Sequence, residues 1–132
     1  MKMHIPEEVT RYRFPILLRL LDQLQAAKGE HYGSSWCKRG LVVSVYGNLA
    51  RKWDRVEQVF SHMGAADAAP PDTGAETLAK TLIDLGVYCV LSTMLLGITA
   101  PNSVKKAFED DGIEYPTELL KQPEDVVIDP LS

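Results

Sequence analysis

Lys38 and Arg39 follow Trp36, and Arg51, Lys52 and Arg55 surround Trp53, in a chain that is otherwise acidic. Arg takes phosphate oxygens through a planar fork, Lys takes them as a point charge, and an indole offers a flat stacking face. Residues of these types at this density point to a nucleotide-handling site. They do not distinguish turnover from holding. Lys and Arg number 14 against 18 Asp and Glu, for a net charge of −4. Overall charge therefore gives no bulk attraction to nucleic acid, and any anion site must be local. The alternative reading of the same cations is a solvated helix face, where Lys and Arg are routine.

A second set of charged residues lies downstream. Glu76, Lys80, Asp84 and Tyr88 follow an i+4 line, with Thr77 and Thr81 beside it. Such a line is either an exposed ion-pair ladder or, on a helix this apolar, a charged strip facing another helix. In the second case Asp84 needs a partner, and Arg55 or Lys52 supplies it, because a buried charge persists only when paired. A hydrolytic alternative compares Asp54-x-x-Glu57 and Glu76 with Asp84 to the carboxylate pairs of MazG-type pyrophosphohydrolases, which converge on Mg²⁺. The spacing on the second of these helices is wrong for that site. No metal ligands are assigned, the cofactor is left unassigned, and Mg²⁺ enters only under that alternative. His31 beside Tyr32 and Gly33 reads as a general acid or base or as polar surface. No Ser-His-Asp set, P-loop or GxGxxG is present, so nucleophilic catalysis and Walker-type hydrolysis find no support.

The elements that must position these residues read as helices. Ile16, Leu17, Leu20, Leu21 and Leu24 predict a first helix from Pro15 to about Ala27, with proline in its first turn. Lys28 to Ser35 reads as a loop. A second helix, Leu41 to about His62, has Val42, Val45, Leu49, Trp53, Val56 and Phe60 as its core face. The opposite face then gathers Ser44, Asn48, Arg51, Lys52 and Arg55. Met63 to Ala75 reads as a loop. Thr73 and Glu76 match a capping box that opens a third helix, central and largely buried. Ser103 caps a short helix reaching about Asp111, Pro116-Thr117 opens one more turn, and Gln122 to Ser132 is an extended tail.

The chain length of 132 residues fits one domain, 1–132, with 112–132 forming the C-terminal turn and tail. Cys37 and Cys89 read as free, near-interior thiols of a reducing cytoplasm. Met1 to Val9 is acidic and interrupted by proline, unlike a signal peptide. The apolar run Gly86 to Ala100 is too short to span a bilayer, so no membrane association is expected.

The order of motifs resembles the nucleotide modification associated domain 1 family, found largely in phages and bacteria. Its pattern is a K-x-x-D-Y-G-x-S/W loop, a helix with K-[FW]-x-R-[LIV], and a helix of E-x-x-x-D-T-[LI]-x-D-L-x-x-Y type. Here these read Lys28 to Trp36, Arg51 to Val56, and Glu76 to Tyr88, within a family-like core of 28–96. The resemblance implies an all-α domain connected with phage nucleotide or DNA-base metabolism, in the host cytoplasm. His31 stands where the family commonly has Asp, and Lys80 where the third motif has Asp. Both departures remove negative charge, which weakens a Mg²⁺ site and strengthens a site that receives phosphates directly.

The expectation is an all-α bundle of three main helices plus a short C-terminal helix, in a homo-oligomer. It binds a nucleotide or phosphorylated small molecule without clear catalytic machinery. Lys28, Tyr32, Ser35 and Trp36 form a loop wall, Trp36 being the stacking candidate and Trp53 a core residue. Arg51, Lys52 and Arg55 take phosphates, and Glu76, Lys80 and Asp84 line the facing helix. The alternatives are the Mg²⁺-dependent hydrolase and a protein-interaction module whose basic stripe meets an acidic partner helix.

Overall fold

In the computed structural model, residues 3–32, 35–61 and 76–123 are described. Among them the chain is all-α, with four α-helices and no strand: α1 (Glu7–Tyr32), α2 (Asn48–Ser61), α3 (Glu76–Thr99) and α4 (Pro101–Glu109). A 3₁₀ turn at Ser35–Cys37 and a π-helical segment at Val42–Gly47 lead into α2, and a 3₁₀ turn at Thr117–Leu120 follows α4. Helix α3 is the centre, packing against α1, α2 and α4.

Helix α1 begins eight residues before the predicted start. Glu7 and Glu8 occupy its first turn, where carboxylates complement the helix dipole. Pro15 lies inside the helix, which continues past it without the hydrogen bond that proline cannot donate. At its other end α1 runs on through Tyr32, so most of the predicted loop is helical.

The second helix departs from the prediction in its face. A π-helical turn widens the backbone at Val42–Gly47, and such turns are rare and concentrate at functional sites. The inward line is then Ser44, Asn48, Lys52 and Val56. Ser44 is only 1 % exposed and Val56 is buried, whereas Val42, Tyr46, Trp53 and Phe60 are exposed. The predicted core face is thus corrected in part: Val56 is buried and Val45 and Leu49 are half-buried, but Trp53 is 51 % exposed, and the side that meets α3 includes Ser44, Asn48 and Lys52 of the polar stripe.

Helix α3 buries Leu78, Thr81, Val87, Leu91 and Ser92, but Leu82, Ile83, Val90, Met94 and Leu96 are exposed, so it is central without being enclosed. Cys89 is exposed as well, against the near-interior reading. The Thr81 hydroxyl donates to the Thr77 carbonyl at 2.8 Å, which satisfies it inside the helix. The segment Thr77–Thr99, at 23 residues, is long and apolar enough to cross a membrane by length and composition alone. That corrects the shorter apolar run read from the sequence. A core helix of a soluble protein meets the same criterion.

The C-terminal part closes on α3. Helix α4 starts at Pro101, with Ala100 in the N-cap position in place of the predicted Ser103. Proline's fixed φ suits the first helical position, and this moves the start forward. Gly112 has φ +76°, and the Gly112 and Ile113 amides donate to the Glu109 and Phe108 carbonyls at 3.0 and 3.1 Å. This is the left-handed helix ending that glycine permits. It returns the chain so that buried Tyr115 stacks on Phe108 with ring centroids 5.8 Å apart. A Cβ at Gly97 would lie 3.3 Å from the Tyr115 hydroxyl, so glycine lets the ring approach α3 without being pushed aside by a few tenths of an ångström. Gln122 Nε2 donates to the Ile98 carbonyl at 2.8 Å, tying the start of the predicted tail to α3. The predicted loop at 63–75, Thr73 of the capping box, and the tail from 124 onward lie outside the described residues.

Candidate functional site

Asp84, on the inner side of α3, accepts from two ammonium groups. Lys28 Nζ from the C-terminal part of α1 lies 3.0 Å from Oδ1, and Lys52 Nζ from α2 lies 3.1 Å from Oδ2. Ser44, Asn48 and Lys52 share the helix face that meets α3, and this brings Lys52 to Asp84. The Lys52 side chain is 14 % exposed, and its ammonium also sits 6.0 Å from the centroid of the Tyr88 ring, one turn along α3 from Asp84. Three helices are thereby joined by one carboxylate.

Burial alone raises the Asp84 pKa, but hydrogen bonds and charge from Lys28 and Lys52 outweigh it, so the group sits below its ordinary value of 3.8. The carboxylate is therefore ionised at neutral pH. Two lysines against one aspartate leave a surplus positive charge.

That surplus faces a cavity of about 630 Å³. Lys28, Arg39, Arg51 and Lys52 line it with Asp84, so four cations stand against one carboxylate among the described lining residues. Ser35, Trp36, Val43, Val87, Tyr88 and Leu91 supply the less charged part of the wall. Asn48 holds this wall together. Its Nδ2 donates to the Ser44 carbonyl at 2.8 Å and to the Trp36 carbonyl at 3.4 Å, and its Oδ1 accepts from Arg51 at 3.4 Å. The turn carrying Trp36 is thus fastened to the start of α2. At the end of that turn Gly40 has φ +94°, a conformation glycine adopts readily, and its carbonyl accepts from the Ser44 amide at 2.9 Å.

Of the residues named from the sequence, Lys28, Ser35, Trp36, Arg51, Lys52 and Asp84 line this cavity together. The expectation that Asp84 pairs with a cation of the second helix is met by Lys52, and Lys28 joins it. Arg55 and Lys80 are exposed and do not line the cavity. Arg55 lies one position before buried Val56, a rotation of about 100° off the inward line. The side chains of Tyr32, His31 and Glu76 lie outside the described residues. Sequence reasoning passed over Arg39, Asn48 and Tyr88 as site residues. Arg39 had a signal in its place beside Trp36, Asn48 in the polar stripe, and Tyr88 in the i+4 line through Asp84. Gln25 and Gly29 carried no signal, because their segment was read partly as loop.

Whether the donors suit a divalent metal is a separate matter. Among the described residues no group of three or more His, Cys, Asp and Glu side chains converges. Asp84 is the acidic residue of the described cavity lining, and its two oxygens are held by ammonium groups. This donor set does not fit a Mg²⁺ cage, which calls for several unencumbered oxygens.

Compared with protein-family models, curated proteins and solved structures, the chain matches none.

Proposed function

We propose that this protein binds a nucleotide, or a closely related phosphorylated small molecule, in the cavity between α1, α2 and α3. The observation that carries the reading is the convergence of Lys28 and Lys52 on Asp84 in a cavity also lined by Arg39, Arg51 and Trp36. An anionic ligand finds donors already gathered and a net positive wall. The lysines exchange part of their bonding from Asp84 to phosphate oxygens, and charge-assisted bonds of this kind are the stronger class. Trp36 and Tyr88 offer flat faces for a base. The resemblance to the nucleotide modification associated domain 1 family points to the same ligand class. On this reading the ligand is held with no bond broken.

Calorimetry with nucleoside mono-, di- and triphosphates, with Mg²⁺ and with EDTA, tests the proposal. Binding is expected to persist in EDTA, with the ligand recovered intact and Asp84→Asn still binding, since removal of the carboxylate frees both lysines. Trp36→Phe is expected to abolish the ligand-induced fluorescence change while Trp53→Phe retains it. Mg²⁺-dependent product release that disappears in Asp84→Asn overturns the reading in favour of a hydrolase. Absence of affinity for every nucleotide overturns it in favour of an interaction module.

A further inference from the structure

The first half of α1 is apolar and exposed together. Every residue from Arg11 to Leu20 is exposed, including Tyr12, Phe14, Ile16, Leu17, Leu18 and Leu20. Tyr12 is 72 % exposed and Leu17 58 %. Helix α1 meets α3 further along, where Leu21 Cδ1 lies 3.6 Å from the position a Cβ on Gly86 would take. Leu82, Ile83 and Val90 stand three or four residues from Gly86, on the same side of α3. They too are exposed, as is Met94 one turn beyond Val90. The exposed stretch of α1 leads into the α1–α3 crossing at Leu21, beside these exposed apolar residues of α3.

We propose that this surface is the interface with a second copy of the chain, formed by the first half of α1 and the outer side of α3. Ten apolar side chains on it, from Tyr12 to Leu20 and from Leu82 to Met94, are each 36 % exposed or more, and contiguous exposed apolar residues in such number mark interaction sites on soluble proteins. Charge fits self-association. Between Glu7 and Leu20 two glutamates stand against Arg11, Arg13 and Arg19, a net of one positive charge. A surface that meets its own copy must be close to neutral, because strong charge of one sign repels itself. A bilayer is the competing occupant, since α3 has the length to span one. In that arrangement Asp84 and its two lysines, on the inner side of the same helix, would enter hydrocarbon at high cost. A second copy covers the outer side and leaves that cluster in place.

Light scattering after size exclusion, with the full-length chain in detergent-free buffer, reads the outcome. The wild type is expected to have at least twice the mass of one chain at micromolar concentration. Leu17→Glu and Val90→Glu are each expected to reduce it to one chain with far-ultraviolet helicity kept. Should either variant unfold, photo-crosslinking from position 12 in a mixture of isotope-labelled and unlabelled wild-type background decides, with mixed pairs expected. Single-chain mass at high micromolar concentration, crosslinks confined to one chain, or transfer of the protein to neutral phosphatidylcholine vesicles overturns the proposal.

Discussion

Lys52 is the residue on which the site turns. It is nearly enclosed, it donates to Asp84, and it borders both Tyr88 and the cavity. Lys52→Met keeps the aliphatic stem and removes the charge. A hydrogen bond to a charged group contributes ~1.5–3 kcal/mol, so nucleotide affinity is expected to fall about tenfold to a hundredfold by calorimetry. Asp84 gives a separate handle through pH. Its pKa is lowered in the folded state, so its contribution to stability is fully present above the ordinary value of 3.8 and is lost as pH falls from there through the folded value. Thermal unfolding of the wild type and Asp84→Asn across the acidic range is therefore expected to differ most above pH 4 or so and to converge at lower pH. A difference that grows on acidification contradicts the assignment of Asp84 as the shared acceptor.

At the scale of elements, the two ends of the molecule were unequally legible. The short C-terminal helix and the turn after Pro116 were readable from local signals, although the cap expected at Ser103 lies at Ala100 ahead of Pro101 and the left-handed ending at Gly112 was not foreseen. The face of α2 was not. Reading apolar residues as the inward side assumes that they pack within the same chain, and here Val42, Tyr46, Trp53 and Phe60 point outward while Ser44, Asn48 and Lys52 point in. The grouping of Ser44, Asn48 and Lys52 on one face was legible, but that this face turns inward was not, nor was the π-helical turn at Val42–Gly47. The cations of the candidate site were legible by type and spacing, but Arg55 lies off the cavity because one position along a helix is a 100° rotation. Asn48 is the element-scale test, since it bonds both the Trp36 turn and the π-helical segment. Asn48→Ala is expected to cost about 1–2 kcal/mol in denaturant unfolding and to shift Trp36 emission toward the red, with the signal assigned in a Trp53→Phe background. An unchanged spectrum removes Asn48 from the role of fastening the cavity wall.

The whole molecule sets a small positive cavity inside a chain of net charge −4, beneath helices whose outer sides are apolar. These two features have opposite dependence on solution conditions. Phosphate binding as proposed is expected to weaken with added salt through screening, whereas the proposed burial of the α1 and α3 surface in a second copy would not rely on charge. Such association would stabilise the folded chain by mass action, because only folded copies present that surface together. With one chain contributing half of each pair, a tenfold rise in protein concentration is expected to raise the wild-type Tm by about 2–4 °C for a domain of this size. Leu17→Glu is expected to show the same Tm at every concentration while still binding nucleotide, since Leu17 does not line the cavity. Scanning fluorimetry over a dilution series, repeated at high salt, separates the contributions. A concentration-dependent Tm that survives salt assigns the effect to the apolar surface, and one that vanishes with salt assigns it to charge.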